Sequence, residues 1–159
     1  MAVTNQKSDQ LTNLDASPPV IENTHNIHGR LRVAYFSHTQ SGAGDANSDV
    51  EIVRLPPGKI RLLGFLSRVE HNWSVATVDM NVGWGAYTDL DGNAVAADAD
   101  GLDAALDVDV AGATPIGSAL NADTKVFESQ DGVSIKLQAV AAGLADGDTV
   151  EGYLVYVQD

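Results

Sequence analysis

The chain has no cysteine, which excludes a disulfide framework, thiolate zinc sites and thiol nucleophiles together. No apolar run approaches the roughly 18 residues that span a bilayer. The opening residues MAVTNQKSDQ lack the hydrophobic stretch of a signal peptide, so neither a membrane nor export is expected. Positive charge is scarce: nine Lys and Arg face 22 Asp and Glu, a formal net charge of −13. Phosphate binding needs a basic face, so nucleic acid is not an expected partner. Catalytic motifs are lacking as well. There is no GxSxG elbow, and the GxG within SGAGDANS (Ser41 to Ser48) has neither a third glycine nor a following helix. No catalytic residue and no cofactor is assigned.

What remains is a chain of 159 residues, 44% hydrophobic, long enough to bury a core in one domain. Its organising stretch is LPPGKIRLLGFLSRVEHNWSVATVDMNVGWG, Leu55 to Gly85. Pro56-Pro57-Gly58 cannot continue a ladder and predicts a sharp turn. Ile60 to Leu66 is apolar on both faces, which predicts a central strand with Gly64 as a bulge or close-approach point. Ala76, Val78, Met80, Val82 and Trp84 alternate with polar residues, the period of a strand with one buried face. These two are expected to be adjacent strands in the middle of a β-sandwich.

Residues 1–28 are polar and aperiodic and predict an extended arm. Pro18, Pro19, Val20 and Ile21 could lie along a neighbouring subunit. Strands are expected at Leu31 to Ser37, Val50 to Leu55, Lys125 to Ser129, Val133 to Ala139 and Thr149 to Val157, with turns at Asp131-Gly132 and Ala145 to Asp148. Residues 86–123 hold eight Asp, eleven Ala and no Lys or Arg. They are read as an acidic insertion with a short helix, capped by Asp98 or Asp100, striped by Leu102, Ala105 and Leu106, and ending near Asp107 and Asp109. The fold expected over 29–158 is all-β, an antiparallel sandwich of jelly-roll type with seven or so strands.

Candidate chemistry is thin. Asp89-Leu-Asp91-Gly-Asn93 and Asp98-Ala-Asp100-Gly-Leu-Asp103 resemble calcium loops in composition, but Gly is fourth and no Glu stands at twelve, so caps and turns are favoured and no metal is assigned. His25, His28, His38 and His71 are read as surface histidines. Trp84 shares the parity of the buried face, whereas Trp73 and Tyr87 are candidate exposed anchors for stacking on a sugar. Six of the nine cations, Arg30, Arg32, Arg54, Lys59, Arg61 and Arg68, cluster between residues 30 and 68. The five arginines are the candidate contact residues toward a partner.

The LPPGKIRLLGF corner, the VATVDMNVGWG strand followed by the acidic insertion, and the closing GDTVEGYLVYVQD strand together resemble head decoration, or cement, proteins of tailed bacteriophages, over about residues 29 to 158. The resemblance implies a β-sandwich without catalytic residues that binds the major capsid protein on the outer surface of the virion, often as a trimer, and reinforces contacts between capsomers. The arm and the five arginines would then face the shell or a neighbouring subunit. A carbohydrate-binding module using Trp73 or Tyr87 is the alternative expectation.

Overall fold

The computed structural model describes residues 7–8, 12–13, 15–20, 29–120 and 124–158. Among the described residues twelve strands follow in order: β1 (Leu31–Thr39), β2 (Asp49–Leu55), β3 (Gly58–Leu63), β4 (Arg68–Asn72), β5 (Asp79–Trp84), β6 (Tyr87–Thr88), β7 (Ala94–Val95), β8 (Asp98–Asp107), β9 (Gly112–Pro115), β10 (Thr124–Ser129), β11 (Val133–Val140) and β12 (Thr149–Gln158). They build the expected all-β, antiparallel, jelly-roll-like sandwich. The larger sheet has the order β10-β3-β12-β4-β9, with β1 added on β12, and the smaller one runs β2-β11-β5-β8. β6 and β7 form a separate short hairpin.

Strands β3 and β4 lie end to end along one side of β12. β1 pairs along the other side, from Leu31↔Val157 to Thr39↔Thr149. The Pro56-Pro57 corner carries the chain between layers, because β2 belongs to the smaller sheet and β3 to the larger. Proline has no N–H to leave unpaired there, and Gly58 takes the left-handed φ of 107° that the corner requires.

The expected central strand over Ile60 to Leu66 is shorter than its apolar run. β3 does lie between β10 and β12, but residues Gly64–Leu66 form a 3-10 turn. Gly64 is the expected close-approach point, since a Cβ on Gly117 would meet its Cα at 3.0 Å. The Ser67 hydroxyl donates to the Leu63 carbonyl and accepts the Val155 N–H, both at 2.9 Å, tying the turn to β12. In β5 the alternation holds: Val78, Met80, Val82 and Trp84 are buried. Thr77 has a φ of 69°, which ends the extended run and leaves Ala76 exposed in a turn. The two runs expected to be adjacent lie in opposite sheets and contribute to one core.

The helix expected between Asp98 and Asp109 does not form. Asp98–Asp107 is β8, paired with β5 through Met80↔Leu106 and Trp84↔Asp98 with two register shifts. Without it β5 would present an open edge, and satisfying that ladder outweighs the modest helix preference of alanine. The bulges let the neighbours Leu102 and Asp103 both be buried. β9 joins β4, so the acidic segment contributes to both sheets.

Between the layers pack Leu62, Val69 and Leu154 from one sheet and Met80, Val82, Ile135 and Leu137 from the other. Each such side chain contributes about 1.5–3 kcal/mol by leaving water. Trp84 stands edge-on to Phe127 at 5.5 Å, and Lys125 Nζ lies 4.4 Å above the Trp84 ring.

Candidate functional site

Asp89 and Asp103, one from each acidic motif, bond to backbone groups. Asp89 Oδ1 accepts the N–H groups of Asp91 and Asn93 at 3.0 and 2.7 Å, and these bonds, the Asn93 backbone first, hold its carboxyl below the ordinary carboxylate range. The buried Asp103 accepts the N–H groups of Gly117 and Ser118 at 2.5 and 2.8 Å, as well as the Ser118 hydroxyl. The first acidic motif therefore closes its own turn, while the second is a stretch of β8 whose Asp103 holds the remote Gly117–Ser118 turn. Among the described residues no group of three His, Asp or Glu is placed to hold a metal ion.

Three expected surface groups are placed differently. Trp73 is only 3% exposed. It follows Val69 and His71 at a spacing of two, and all three are buried. Tyr87 is half-buried, its ring edge-on to Phe127 at 6.1 Å. Neither offers the open aromatic face that sugar stacking needs. His71 is buried, with Nε2 at 3.3 Å from the Thr114 hydroxyl and Nδ1 without a partner. Burial lowers its pKa, against the opposing influence of the Val108 backbone and the Asp107 charge.

The distinctive surface is the outer face of the larger sheet. Residues directly opposite each other in antiparallel strands share a face, so the register can be read across it in rows. One row is Leu31, Val157, Arg61 and Val126. Val33 beside Val155 follows, then Tyr35, Tyr153, Arg68 and Pro115. These rows contain two arginines and no carboxylate. Leu31, Val33 and Tyr35 are 59%, 48% and 79% exposed. Val155 and Val157 are shielded from solvent yet stand outside the core cluster, because they lie on the far side of the sheet from it. Beyond the Tyr35 row come Ser37, Glu151, Glu70 and Ala113. A hollow of about 410 Å³ opens at this boundary, lined by Tyr35, Ser37, Glu70, Glu151, Gly152 and Tyr153 together with Phe36. At the opposite end Lys59 forms an ion pair with Glu128.

The smaller sheet shows water the opposite character. Its outer face carries Glu51 beside Lys136, Asp49 beside Gln138 and Asn81, and Asp79 beside Asp107. Arg54 and Lys136 are each held in ion pairs, with Glu51 and Asp49, both at 2.7 Å. A hydrogen bond to the Ser134 side chain and then the Arg54 bond lower the Glu51 pKa. Asp107, by hydrogen bond and by charge, raises that of Asp109, which marks how densely carboxylates crowd here.

The expected contact arginines are thus divided. Arg61 and Arg68 lie on the outer face of the larger sheet. Arg32 is exposed on β1 but has the opposite parity, beside Tyr156. Arg30 precedes β1 and is exposed, and Arg54 belongs to the smaller sheet. Pro18, Pro19 and Val20 are exposed. Ile21, His25 and His28 lie outside the described residues. Sequence reasoning missed Leu31, Val33, Tyr35, Tyr153, Val155 and Val157 as a surface. A signal was present in β12, where Tyr153 to Val157 is apolar at both parities although a two-layer sandwich buries only one.

The chain matches no family model and no curated protein. Its fold does match solved structures. A chain of the cyanophage Pam1 capsid asymmetric unit aligns over 100% of both chains, with a TM-score of 0.59 and 20% identity. A chain of the capsid of Ralstonia phage GP4 aligns over 82% of this chain and 86% of its own length, with a TM-score of 0.64 and 19% identity. The likeness is one of fold: the same β-sandwich at low sequence identity.

Proposed function

We propose that this chain is a non-enzymatic virion structural protein of a bacteriophage that binds the outer surface of the capsid and reinforces contacts between capsomers, acting as a homotrimer on the major capsid protein. The observation that carries the reading is the end-to-end match with a chain of a phage capsid's asymmetric unit, covering all of both chains. The two-sided sandwich supports it, because a protein laid on a shell needs one face for the shell and one for water. Burying the apolar face on a particle also stabilises the fold by mass action, which suits a chain without disulfides. The segment around Pro18, Pro19 and Val20 reaches a neighbouring subunit in this arrangement. The carbohydrate-binding alternative loses its support with Trp73 buried and Tyr87 packed on Phe127.

Sedimentation velocity tests the reading, on the protein alone and mixed with capsids that lack it. A trimer that co-sediments with capsids is expected. A monomer left in the supernatant overturns the proposal.

A further inference from the structure

Resting on that reading, we infer that the outer face of the larger sheet is the surface that meets the shell, and that it docks on an apolar patch of the capsid protein that bears carboxylates. In a chain of net charge −13, three successive rows without an acidic side chain are a local exception. They combine exposed Leu31, Val33 and Tyr35 with Arg61 and Arg68. Arg68 is exposed and donates to the neutral Ala113 carbonyl at 3.2 Å, and burying a guanidinium group without an anionic partner is costly, so the surface that covers it must supply an anionic acceptor. Arginine in turn favours carboxylates, which it binds in bidentate pairs. The apolar positions require an apolar counterpart, since a polar one would be desolvated without compensation. Glu70 and Glu151 beyond the Tyr35 row and the Lys59–Glu128 ion pair at the other end form the polar rim that surrounds the centre of an interface.

The size of the face decides how it binds. Four strands at about 4.8 Å spacing and five residues at about 3.4 Å rise cover a flat footprint of about 300 Å². A stable protein interface buries about 800 Å² on each partner. One copy of the face is therefore a weak ligand, and linked copies on one trimer reach high avidity through effective concentration.

The test is capsid co-sedimentation of the full chain and its variants, with circular dichroism and sedimentation of each variant alone as controls. Val33→Asp and Tyr35→Asp are expected to weaken binding about 30-fold or more, and Arg68→Glu about tenfold. Asp79→Asn and Lys136→Gln on the smaller sheet are expected to bind as the unaltered protein does. Arg68→Glu, at an exposed site, carries the test alone should an aspartate in β1 prevent folding. Unchanged binding by all folded face variants overturns the inference while leaving the proposed function standing. Variants that fold but lose the trimer overturn it too, since the face would then join copies of this chain. If the unaltered chain ignores capsids, the reading beneath fails and the inference with it.

Discussion

Asp103 illustrates how a buried carboxylate can hold a turn remote in sequence. Its carboxylate is fully buried and receives two backbone N–H groups and a hydroxyl from Gly117 and Ser118. Asp103→Ala leaves those donors without an acceptor, and each buried unsatisfied group costs about 1–3 kcal/mol. Urea denaturation should show a lower midpoint, with Asp103→Asn recovering part of the loss. His71 gives a pH dependence. Burial lowers its pKa from the ordinary value of 6.5, so as pH falls through that value the unfolded chain takes up the proton first. Stability is then constant above the ordinary value and falls below it. Melting temperatures between pH 7.5 and 5.5 should drop for the natural chain and drop less for His71→Gln. The burial of His71 and Trp73 was partly legible: Val69, His71 and Trp73 follow the period of two, and the polar neighbours Asn72 and Ser74 obscured it. Ser74 is polar for a local reason, as its N–H and hydroxyl both donate to Asp148 Oδ1.

At the scale of elements, β2, β5 and β11 could be read from the alternation of their own residues, and β12 from its apolar run. β8 could not, because its strand identity comes from the edge of β5, a partner remote in sequence, while its Ala and Asp composition speaks for a helix. The contact between these two strands is close. A Cβ on Gly83 would lie 2.0 Å from the Asp98 carbonyl oxygen, so Gly83→Ala must push β8 away. A cost of about 1–3 kcal/mol is expected from such overpacking, and hydrogen exchange should show faster exchange in β8 than in β3 or β12. Protection unchanged in β8 would mean that the strands can separate locally without loss. The outer face of β1 and β12 is a different failure of legibility. Periodicity tells which residues share a face, but not which face a second layer covers.

For the whole molecule, the two outer faces have opposite needs. The smaller sheet sets Asp79 directly beside Asp107, with Asp109 close enough for its pKa to be raised. In a chain of net charge −13 such repulsion is relieved by salt. Between 10 and 100 mM salt the Debye length falls from about 30 to about 10 Å, so the melting temperature should rise by a few degrees. The proposed docking, with Arg68 on its face, should instead weaken over the same range, a reversal of sign that separates fold from binding in one titration.

The position of β12 sets the order of events during synthesis. The larger sheet has its last strand in the middle, with β1 on one side and β3 and β4 on the other. Residues 31–39 and 68–72 emerge from the ribosome more than a hundred and about eighty residues, respectively, before the strand they both require is made, so pairing across such separations is slow. Until Thr149–Gln158 arrives, β1 has no strand in this layer to pair with, and the β3–β10 and β4–β9 pairs are not joined to each other. The larger sheet is therefore completed only once that stretch has been translated.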